Sequence, residues 1–292
     1  MHHRIKKNMS GILQLCATPI GNLGDMSPRI LECLQNADLI AAEDTRNSLK
    51  LLNHFDIHTP MTSYHEFNKV EKAHTLIAQL HEGKNIALIT DAGTPAISDP
   101  GEVLVRMCIE AGITVTSLPG PCACITALTL SGLDTRRFVF EGFLPREKKE
   151  REQALKRLEN ESRTFILYEA PHHLKGTLSD LASSLYCGGD RKIALCRELT
   201  KKFEEVIHTT INGALLRYED EDPRGEYVLV TEGRDIRSIE AEENAKWESM
   251  SIPDHVAMYE AKGMDRKEAM KATAADRGVS KRDIYSALEK EK

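Results

Sequence analysis

The sequence predicts an α/β protein built from two α/β domains followed by a small helical appendage. Short apolar runs of strand length alternate with stretches in which apolar residues recur at helical spacing, as far as Thr231. Beyond Gly233 the chain is rich in Glu, Lys, Ala and Met and offers no further strand. A chain of 292 residues has room for two domains and an extension. We therefore place the domains at residues 11–121 and 122–233 and the appendage at residues 234–292.

The pattern of the first domain is typical of a parallel sheet with helices on both sides. Its apolar runs predict strands at Ile12–Ala17, Leu39–Ala42, Ile86–Thr90 and Ile113–Leu118. Helical patterns follow Ser27, surround Leu49–Leu52, and cover Lys69–Leu80 and Val103–Ala111. Ser27 and Pro28 are typical of an N-cap and a first helical position. Alternation of strands and helices with short connections predicts a parallel, doubly wound sheet.

The second domain is expected to contain four further strands. They are Phe138–Phe143, Thr164–Tyr168, Lys192–Cys196 and Tyr227–Thr231. Helical segments are predicted around Glu150–Leu158 and Leu174–Leu185. In the appendage, Asp265 and Ser280 each precede an acidic residue three positions on, which is the pattern of a capped helix start, and Gly278 separates the two. This predicts a pair resembling a helix-turn-helix, which serves either nucleic-acid contact or packing and dimerisation.

Composition excludes several classes of protein. No run of 18 apolar residues occurs, so no membrane span is predicted, and the basic stretch 1–10 is not followed by a signal-peptide core. The net charge of −6 argues against a protein that coats nucleic acid by bulk electrostatics, although a local basic surface remains compatible with an RNA target. We expect a cytoplasmic protein with reduced, mostly buried cysteines and no metal site. The cysteines are Cys16, Cys33, Cys108, Cys122, Cys124, Cys187 and Cys196.

Three loops rich in Gly and Pro follow predicted strands and replace the familiar phosphate-binding motifs. Neither the P-loop pattern nor G-x-G-x-x-G after the first strand is present. The loops are Thr18–Asp25, Thr90–Gly101 and Leu118–Pro121. In a parallel sheet they emerge at one carboxyl edge, where α/β proteins bind ligands, and their glycines allow a ligand to approach the backbone closely. We therefore expect a binding site for a small molecule at this edge, with three unrelated tight turns as the alternative.

These loops and other short motifs resemble the tetrapyrrole methylase superfamily, and within it the members that methylate ribosomal RNA. The matching motifs occur in order along residues 11–233: Glu43–Arg46, Ser63–Asn68, Asp91–Gly101, Phe140–Pro145, Tyr168–His172 and Gly225–Tyr227. The resemblance implies a cleft between two α/β domains that binds S-adenosyl-L-methionine. It also implies methyl transfer to the ribose 2′-hydroxyl of a cytidine in the decoding region of 16S rRNA in the small ribosomal subunit, and a homodimer.

The resemblance assigns cofactor contacts only to matching positions. Those positions are Gly21, Asn22, Ala92, Gly93, Thr94, Ile97, Ser98, Cys122, Ala123, Tyr168, Glu169, Gly225 and Glu226. The superfamily usually has Gly-Asp-Pro in its second loop, where this chain has Gly93-Thr94-Pro95. Because of this departure, the nearby Asp91 and Asp99 have no role assigned by the resemblance.

The catalytic base is expected within a cluster of polar residues, and no single member is assigned. The candidates are Asp44, Arg46, His65, Glu66, Glu169 and His172. Arg46 has the geometry to bind a phosphate in bidentate fashion, and Tyr64 or Phe67 to stack on a splayed base. Structural alternatives are open: Glu43 or Asp44 with Arg46 as a helix cap and ion pair, and His65 as a structural histidine. Tyr64 and Phe67 alternate with polar neighbours, so we expect them in the core rather than at an RNA-binding surface.

A basic flank accompanies these motifs. Residues 146–157 carry six basic and three acidic side chains, and Arg136 and Arg137 stand just upstream, so this segment is either an RNA-facing surface or a solvated helix face. Two other functions stay open. One is a methyltransferase of the same fold that acts on a tetrapyrrole or a protein, and the other is a non-catalytic RNA-binding assembly factor.

Overall fold

The computed structural model describes residues 10–185 and 188–290, so Cys187 and most of the basic stretch 1–10 lie outside the described part. The chain divides into two compact units, one of residues 1–156 with 163–232 and one of residues 157–162 with 233–292. Both predicted α/β segments fall within the first unit, except residues 157–162 and 233 of the second segment. The predicted boundary between residues 121 and 122 stays a prediction.

The first sheet has five strands in the order β3-β2-β4-β1-β5, and all their pairings are parallel. The strands are β1 (Ile12–Cys16), β2 (Leu39–Ala42), β3 (Met61–Ser63), β4 (Ile86–Ile89) and β5 (Thr114–Leu118). The predicted parallel sheet is confirmed. The sequence did not predict β3, because this edge strand has only three residues and lacks an apolar run.

Helices cover both faces of this sheet, as in a doubly wound fold. They are α1 (Pro28–Asn36), α2 (Thr45–His54), α3 (Lys69–His81) and α4 (Gly101–Glu110). On one face Ile30 and Leu52, from α1 and α2, pack with Ile40. On the other face Leu76 and Leu104, from α3 and α4, pack with Leu13. The predicted Ser27 cap is confirmed, because its hydroxyl accepts the N–H of Ile30.

The second sheet is mixed, in the order β6-β7-β10-β8-β9, and only β6 and β7 are parallel. Its strands are β6 (Phe138–Phe143), β7 (Thr164–Glu169), β8 (Lys192–Arg197), β9 (Glu205–Thr210) and β10 (Tyr227–Thr231). Its helices are α5 (Ala123–Leu130), which packs on this sheet, α6 (Lys148–Glu159), α7 (Pro171–Ser184) and α8 (Ile211–Arg217). The sequence analysis missed α5, α8 and the polar edge strand β9.

Strand directions in the second sheet bring three chain segments to one edge. Strands β7 and β8 both run antiparallel to β10, so they point the same way. Tyr227, at the start of β10, pairs with Glu169 at the end of β7 and with Arg197 at the end of β8. Side chains after β7, after β8 and before β10 are therefore neighbours.

The second unit contains α9 (Ile236–Ser249), α10 (Ile252–Ala261), α11 (Arg266–Asp276) and α12 (Lys281–Lys290). Asp265 accepts the N–H of Glu268 and Ser280 accepts the N–H of Asp283, so both predicted caps are confirmed. A core of Val256, Ala269 and Ile284 holds the last three helices together. Among the described residues, no helix has the length and apolar character needed to cross a membrane.

Two aromatic residues in the segment after β3, Tyr64 and Phe67, have opposite environments. Tyr64 is 1% exposed, and its hydroxyl donates to the carbonyl of Pro100 over 3.1 Å. Phe67 is 98% exposed, so its expected core position is wrong. The reason is local: the Asn68 side chain accepts the N–H of His65 and closes a turn that carries Phe67 outward.

Replacing Tyr64 by Phe is expected to lower the free energy of unfolding by about 1–3 kcal/mol, because the buried Pro100 carbonyl loses its donor. Urea unfolding followed by circular dichroism measures the change. The matched control is Tyr285→Phe, at a side chain that is 56% exposed, which should change stability by less than about 0.5 kcal/mol. Equal effects of the two substitutions would contradict a structural role for the Tyr64 hydroxyl.

Candidate functional site

Hydrogen bonds join the three Gly- and Pro-rich loops at the carboxyl edge of the first sheet. Thr18 and Gly93 exchange two backbone bonds, of 2.9 and 3.1 Å. The Thr94 hydroxyl then donates to the carbonyl of Pro121 over 2.9 Å. The first loop is thus tied to the second, and the second to the third, which confirms that the loops share one edge.

The second loop has an unusual backbone. Gly93 has a φ of 90°, and the non-glycine residues Ala96 and Ser98 have φ values of 67° and 64°. Left-handed conformations at non-glycine residues cost about 1–2 kcal/mol each. Two of them within three residues indicate a loop whose shape is imposed by its surroundings, as at many ligand-binding sites.

A cavity of about 460 Å³ lies between these loops and the adjoining edge of the second sheet. Of the thirteen residues predicted to contact a cofactor, ten line it: Ala92, Gly93, Thr94, Ile97, Ser98, Cys122, Ala123, Tyr168, Glu169 and Glu226. Residues from both predicted domains therefore meet around one space.

The other three predicted contacts, Gly21, Asn22 and Gly225, are not among the lining residues. Asn22 caps a short helical turn by accepting the N–H of Gly24. A Cβ on Gly21 would lie 2.4 Å from the Lys201 side chain, and one on Gly225 would lie 2.4 Å from that of Glu198. Both glycines thus allow a close approach to the loop after β8.

The loop after β8 brings a lysine into the cavity wall that the sequence analysis missed. Lys201 donates to Glu198 over 2.9 Å and to Glu226 over 2.7 Å. Burial lowers the pKa of Lys201, but the bonds to these two carboxylates outweigh it and raise the pKa overall, so Lys201 stays charged. The available signal was a run of polar residues directly after a buried strand.

Acidic groups dominate the charge of the cavity lining. Five carboxylates line it, from Glu43, Asp91, Asp99, Glu169 and Glu226, against the one ammonium of Lys201. Burial, together with Asp91 and Asp99, raises the pKa of Glu43, although the Thr90 hydroxyl donates to it over 2.7 Å. Asp99 accepts the N–H of Gly101 through Oδ1, while its Oδ2 is buried without a hydrogen-bond partner. Burial also raises the pKa of Asp99.

Asp44 and Arg46, predicted in the catalytic cluster, do not line the cavity. Asp44 caps α2 by accepting the N–H of Arg46 over 2.8 Å, and its carboxylate also accepts from the guanidinium over 3.1 Å. The bond from Arg46 lowers the pKa of Asp44. Asp44 therefore has the structural role of a helix cap and ion-pair partner. The Arg46 side chain is 88% exposed and is available to bind a further ligand.

His65 and Glu66 are also absent from the lining, whereas Glu169 belongs to it. Glu66 forms an exposed ion pair with Lys69, and His172 is exposed on α7. Both oxygens of Glu169 are engaged, since Oε1 accepts the N–H of Ala170 and Oε2 accepts the Thr177 hydroxyl. These bonds tie the start of α7 to the end of β7.

The predicted basic flank is mostly exposed. Arg136, Arg137 and Lys149 are accessible to solvent. Arg151 is half-buried and pairs with Asp180 over 2.7 Å, so it serves the packing of α6 on α7. Among the described residues, no cluster of His, Cys, Asp and Glu could hold a metal ion.

The model of the family described as Tetrapyrrole (Corrin/Porphyrin) Methylases matches residues 13–214. The chain belongs to this family. The match covers the strands of both sheets except Ile12 and strand β10, and it includes the three Gly- and Pro-rich loops. The family membership expected from the six motifs is confirmed.

Similar proteins extend the match to nearly the whole chain. A protein named "Ribosomal RNA small subunit methyltransferase I" from Halalkalibacterium halodurans is 49% identical over 286 residues, which are 98% of this chain and 97% of the relative. Proteins of the same name from Bacillus subtilis and Escherichia coli O157:H7 are 47% and 46% identical. The alignments cover 96% and 99% of this chain and 95% and 99% of the relatives.

Solved structures of low identity share the fold. Diphthine synthase gives a TM-score of 0.57 at 12% identity, over 76% of this chain and 90% of its own. The uroporphyrin-III C-methyltransferase of Thermus thermophilus, solved with S-adenosylhomocysteine, gives 0.53 at 12% identity, over 78% and 99%. These similarities confirm the predicted methylase-type fold.

Proposed function

We propose that the protein transfers a methyl group from S-adenosyl-L-methionine to the ribose 2′-hydroxyl of a cytidine in the decoding region of 16S rRNA, and that it acts as a cytoplasmic homodimer on the small ribosomal subunit. The observation that carries the transferase assignment is the acidic cavity between the linked loops and the edge of the second sheet. The choice of rRNA as substrate is supported by relatives that match almost from end to end. The ribose oxygen, the target region and the dimer are supported by the resemblance of the six motifs.

The residues around the cavity fit the cofactor. S-adenosyl-L-methionine carries a sulfonium, an ammonium and one carboxylate, so its net charge is positive, and a lining of five carboxylates and one ammonium complements it. Asp99 Oδ2 offers a buried acceptor without a donor. The ten predicted contacts that line the cavity would hold the cofactor, with Gly93 allowing close approach of the backbone. When bound, the cofactor supplies an electrophilic methyl group on sulfur.

Alignment is the main contribution expected from the protein. Methyl transfer from a sulfonium is an in-line displacement, and holding the two reactants in line can lower a barrier by about 7–11 kcal/mol. The linked loops and the strained second loop fix the walls of the cavity before any ligand binds. Tyr168 adds to this rigidity, because its hydroxyl accepts the N–H of Cys124 while its ring packs edge-on against Phe140 and Phe143.

A base is also needed, because a ribose hydroxyl is a weak nucleophile. The predicted cluster of Asp44, Arg46, His65, Glu66 and Glu169 stays a proposal, and the structure adds Glu43 to it. Glu43 lines the cavity, and its raised pKa makes its carboxylate a stronger base than an exposed glutamate. Glu169 is the weaker candidate, because both its oxygens already accept hydrogen bonds.

The RNA would bind outside the cavity, where Arg46 and Phe67 are exposed. An almost fully exposed phenylalanine at the tip of a turn is available to stack on an unpaired base, a contact worth about 1–3 kcal/mol. Arg46 is available to bind a phosphate. Arg136, Arg137 and Lys149 could contact further backbone.

Replacing Gly93 by Ala tests the placement of the cofactor. Gly93 and Gly112 both have positive φ values, of 90° and 71°, so Ala at either position should destabilise the fold by about 1–2 kcal/mol. Only Gly93 lines the cavity, so only Gly93→Ala should weaken S-adenosylhomocysteine binding in calorimetry, by tenfold or more. An unchanged affinity in Gly93→Ala would place the cofactor elsewhere.

The proposed activity is tested by incubating the full-length protein with labelled S-adenosyl-L-methionine and small ribosomal subunits that lack the modification. We expect label on one ribose oxygen of 16S rRNA, identified by nuclease digestion and mass spectrometry. Label on a base, a tetrapyrrole or a protein would refute the proposed substrate. Binding of RNA without any transfer would favour an assembly factor.

Glu43→Gln is expected to lower kcat by about 100-fold, because the amide cannot accept the proton. In the wild type, activity should rise with pH as Glu43 deprotonates, and the midpoint should lie above the ordinary glutamate pKa of about 4.3, because the pKa of Glu43 is raised. This acid limb of the pH–rate profile should disappear in Glu43→Gln and persist in Asp44→Asn. The reverse result would assign the base to Asp44.

A further inference from the structure

Two cysteines meet in the wall of the cavity. The sulfurs of Cys122 and Cys124 are 3.4 Å apart, which is within hydrogen-bonding distance for two thiols. Cys122 is half-buried and lines the cavity, whereas Cys124 is 4% exposed and packs in the core between α5 and the second sheet. The pair thus consists of one thiol open to small molecules and one thiol directly behind it.

The surroundings of Cys122 favour its thiolate. Cys122 is the N-cap of α5, where the unpaired N–H groups and the helix dipole stabilise negative charge. The hydrogen bond from the Cys124 thiol, with smaller contributions from the N–H groups of Ile125 and Cys124, lowers the pKa of Cys122 to about 6. The same bond, together with burial, raises the pKa of Cys124, which therefore keeps its proton.

A second pair of cysteines gives an internal comparison. The sulfurs of Cys16 and Cys33 are also 3.4 Å apart. Both side chains are buried in the core between the first sheet and α1, and neither lines the cavity. The two pairs therefore have the same sulfur–sulfur distance, but only the pair of Cys122 and Cys124 can be reached by a small molecule in the cavity.

We propose that Cys122 and Cys124 form an oxidation site in which peroxide converts the two thiols to a disulfide across the cavity wall. The Cys122 thiolate attacks one oxygen of the peroxide, the O–O bond breaks, and the hydroxide released takes up a proton to become water. Cys122 is then a sulfenic acid. Cys124 loses its proton and attacks the Cys122 sulfur, the S–O bond breaks, and the second hydroxide leaves as water with that proton. Two electrons pass from the two thiols to the peroxide.

The local geometry allows the bond. Because Ala123 between them is helical, the Cα atoms of Cys122 and Cys124 lie within the separations of known disulfides, and the sulfurs must close from 3.4 Å to about 2.0 Å. This movement acts on the first turn of α5, where the N–H of Cys124 binds the hydroxyl of Tyr168, another lining residue. Oxidation also removes the thiolate charge from a cavity that complements a cationic cofactor. We therefore expect the disulfide to weaken cofactor binding; this consequence rests on the proposed placement of the cofactor, whereas the thiol chemistry does not.

The experiment treats the reduced, full-length protein with hydrogen peroxide and maps its peptides by mass spectrometry without reduction. We expect a peptide that has lost two hydrogens between Cys122 and Cys124, before any oxidation of Cys16 or Cys33. S-adenosylhomocysteine should slow the reaction, the oxidised protein should bind it about tenfold more weakly, and dithiothreitol should restore binding. Oxidation of the Cys16–Cys33 pair first, or of Cys122 to a sulfinic acid without a cross-link, would overturn the proposal.

Variants separate the two steps. Cys124→Ser should stop the reaction at the Cys122 sulfenic acid, which dimedone traps, and Cys122→Ser should abolish both the adduct and the cross-link. The matched control Cys16→Ser should leave the cross-link unchanged. A dimedone adduct that is no stronger in Cys124→Ser than in the wild type would refute Cys124 as the resolving thiol. Cross-linking that S-adenosylhomocysteine does not slow would uphold the dithiol and refute the placement of the cofactor.

Discussion

The site depends on the hydrogen bonds that join three loops into one surface. Thr18 and Gly93 pair through their backbones, and Thr94 reaches the carbonyl of Pro121. These bonds use main-chain groups that loops at a sheet edge would otherwise expose to water. They also explain why the second loop tolerates left-handed conformations at Ala96 and Ser98, since the loop is held at its start by both neighbours. A cavity wall fixed in this way exists before any ligand binds, which reduces the ordering cost of binding.

The charge of the cavity follows from the same arrangement. Glu43 and Asp91 follow parallel strands β2 and β4 of the first sheet, and the second loop adds Asp99, so three carboxylates gather where the backbone fixes them. Burial, with repulsion from Asp91 and Asp99, raises the pKa of Glu43. Lys201 offsets only part of the negative charge of the cavity, because it is already bonded to Glu198 and Glu226. A cationic ligand would reduce the excess negative charge of the cavity, and an anionic ligand would increase it.

The sequence predicted the sheet and the loops well because both leave strong local patterns. Buried parallel strands such as Ile86–Ile89 are continuous apolar runs, and Ser27-Pro28 marks a helix start by its chemistry alone. Short or polar edge strands, Met61–Ser63 and Glu205–Thr210, carry no such pattern and were missed. Lys201 reaches the cavity wall because distant segments of the chain meet there, and the contact between Cys122 and Cys124 depends on how two side chains point at the start of α5; periodicity encodes neither. The alternation of apolar and polar residues predicts a core position for Phe67, but the turn closed by Asn68 interrupts the extended chain on which that pattern depends.

Glu43 and Asp44 are adjacent carboxylates at the junction between β2 and α2, and the junction gives them different environments: Asp44 caps the helix and Glu43 lines the cavity. The N-cap position turns its side chain back to the first N–H groups of the helix, so Asp44 caps α2 and its charge is further satisfied by Arg46. The residue before the cap has no such partner in the helix. Glu43 therefore extends from the end of β2 to the cavity, where the Thr90 hydroxyl and the backbone N–H of Asp91 bind it. The sequence pattern favours Asp44 and not Glu43 as a candidate base; because Asp44 caps the helix, Glu43 is the better placed of the two for the proposed proton transfer.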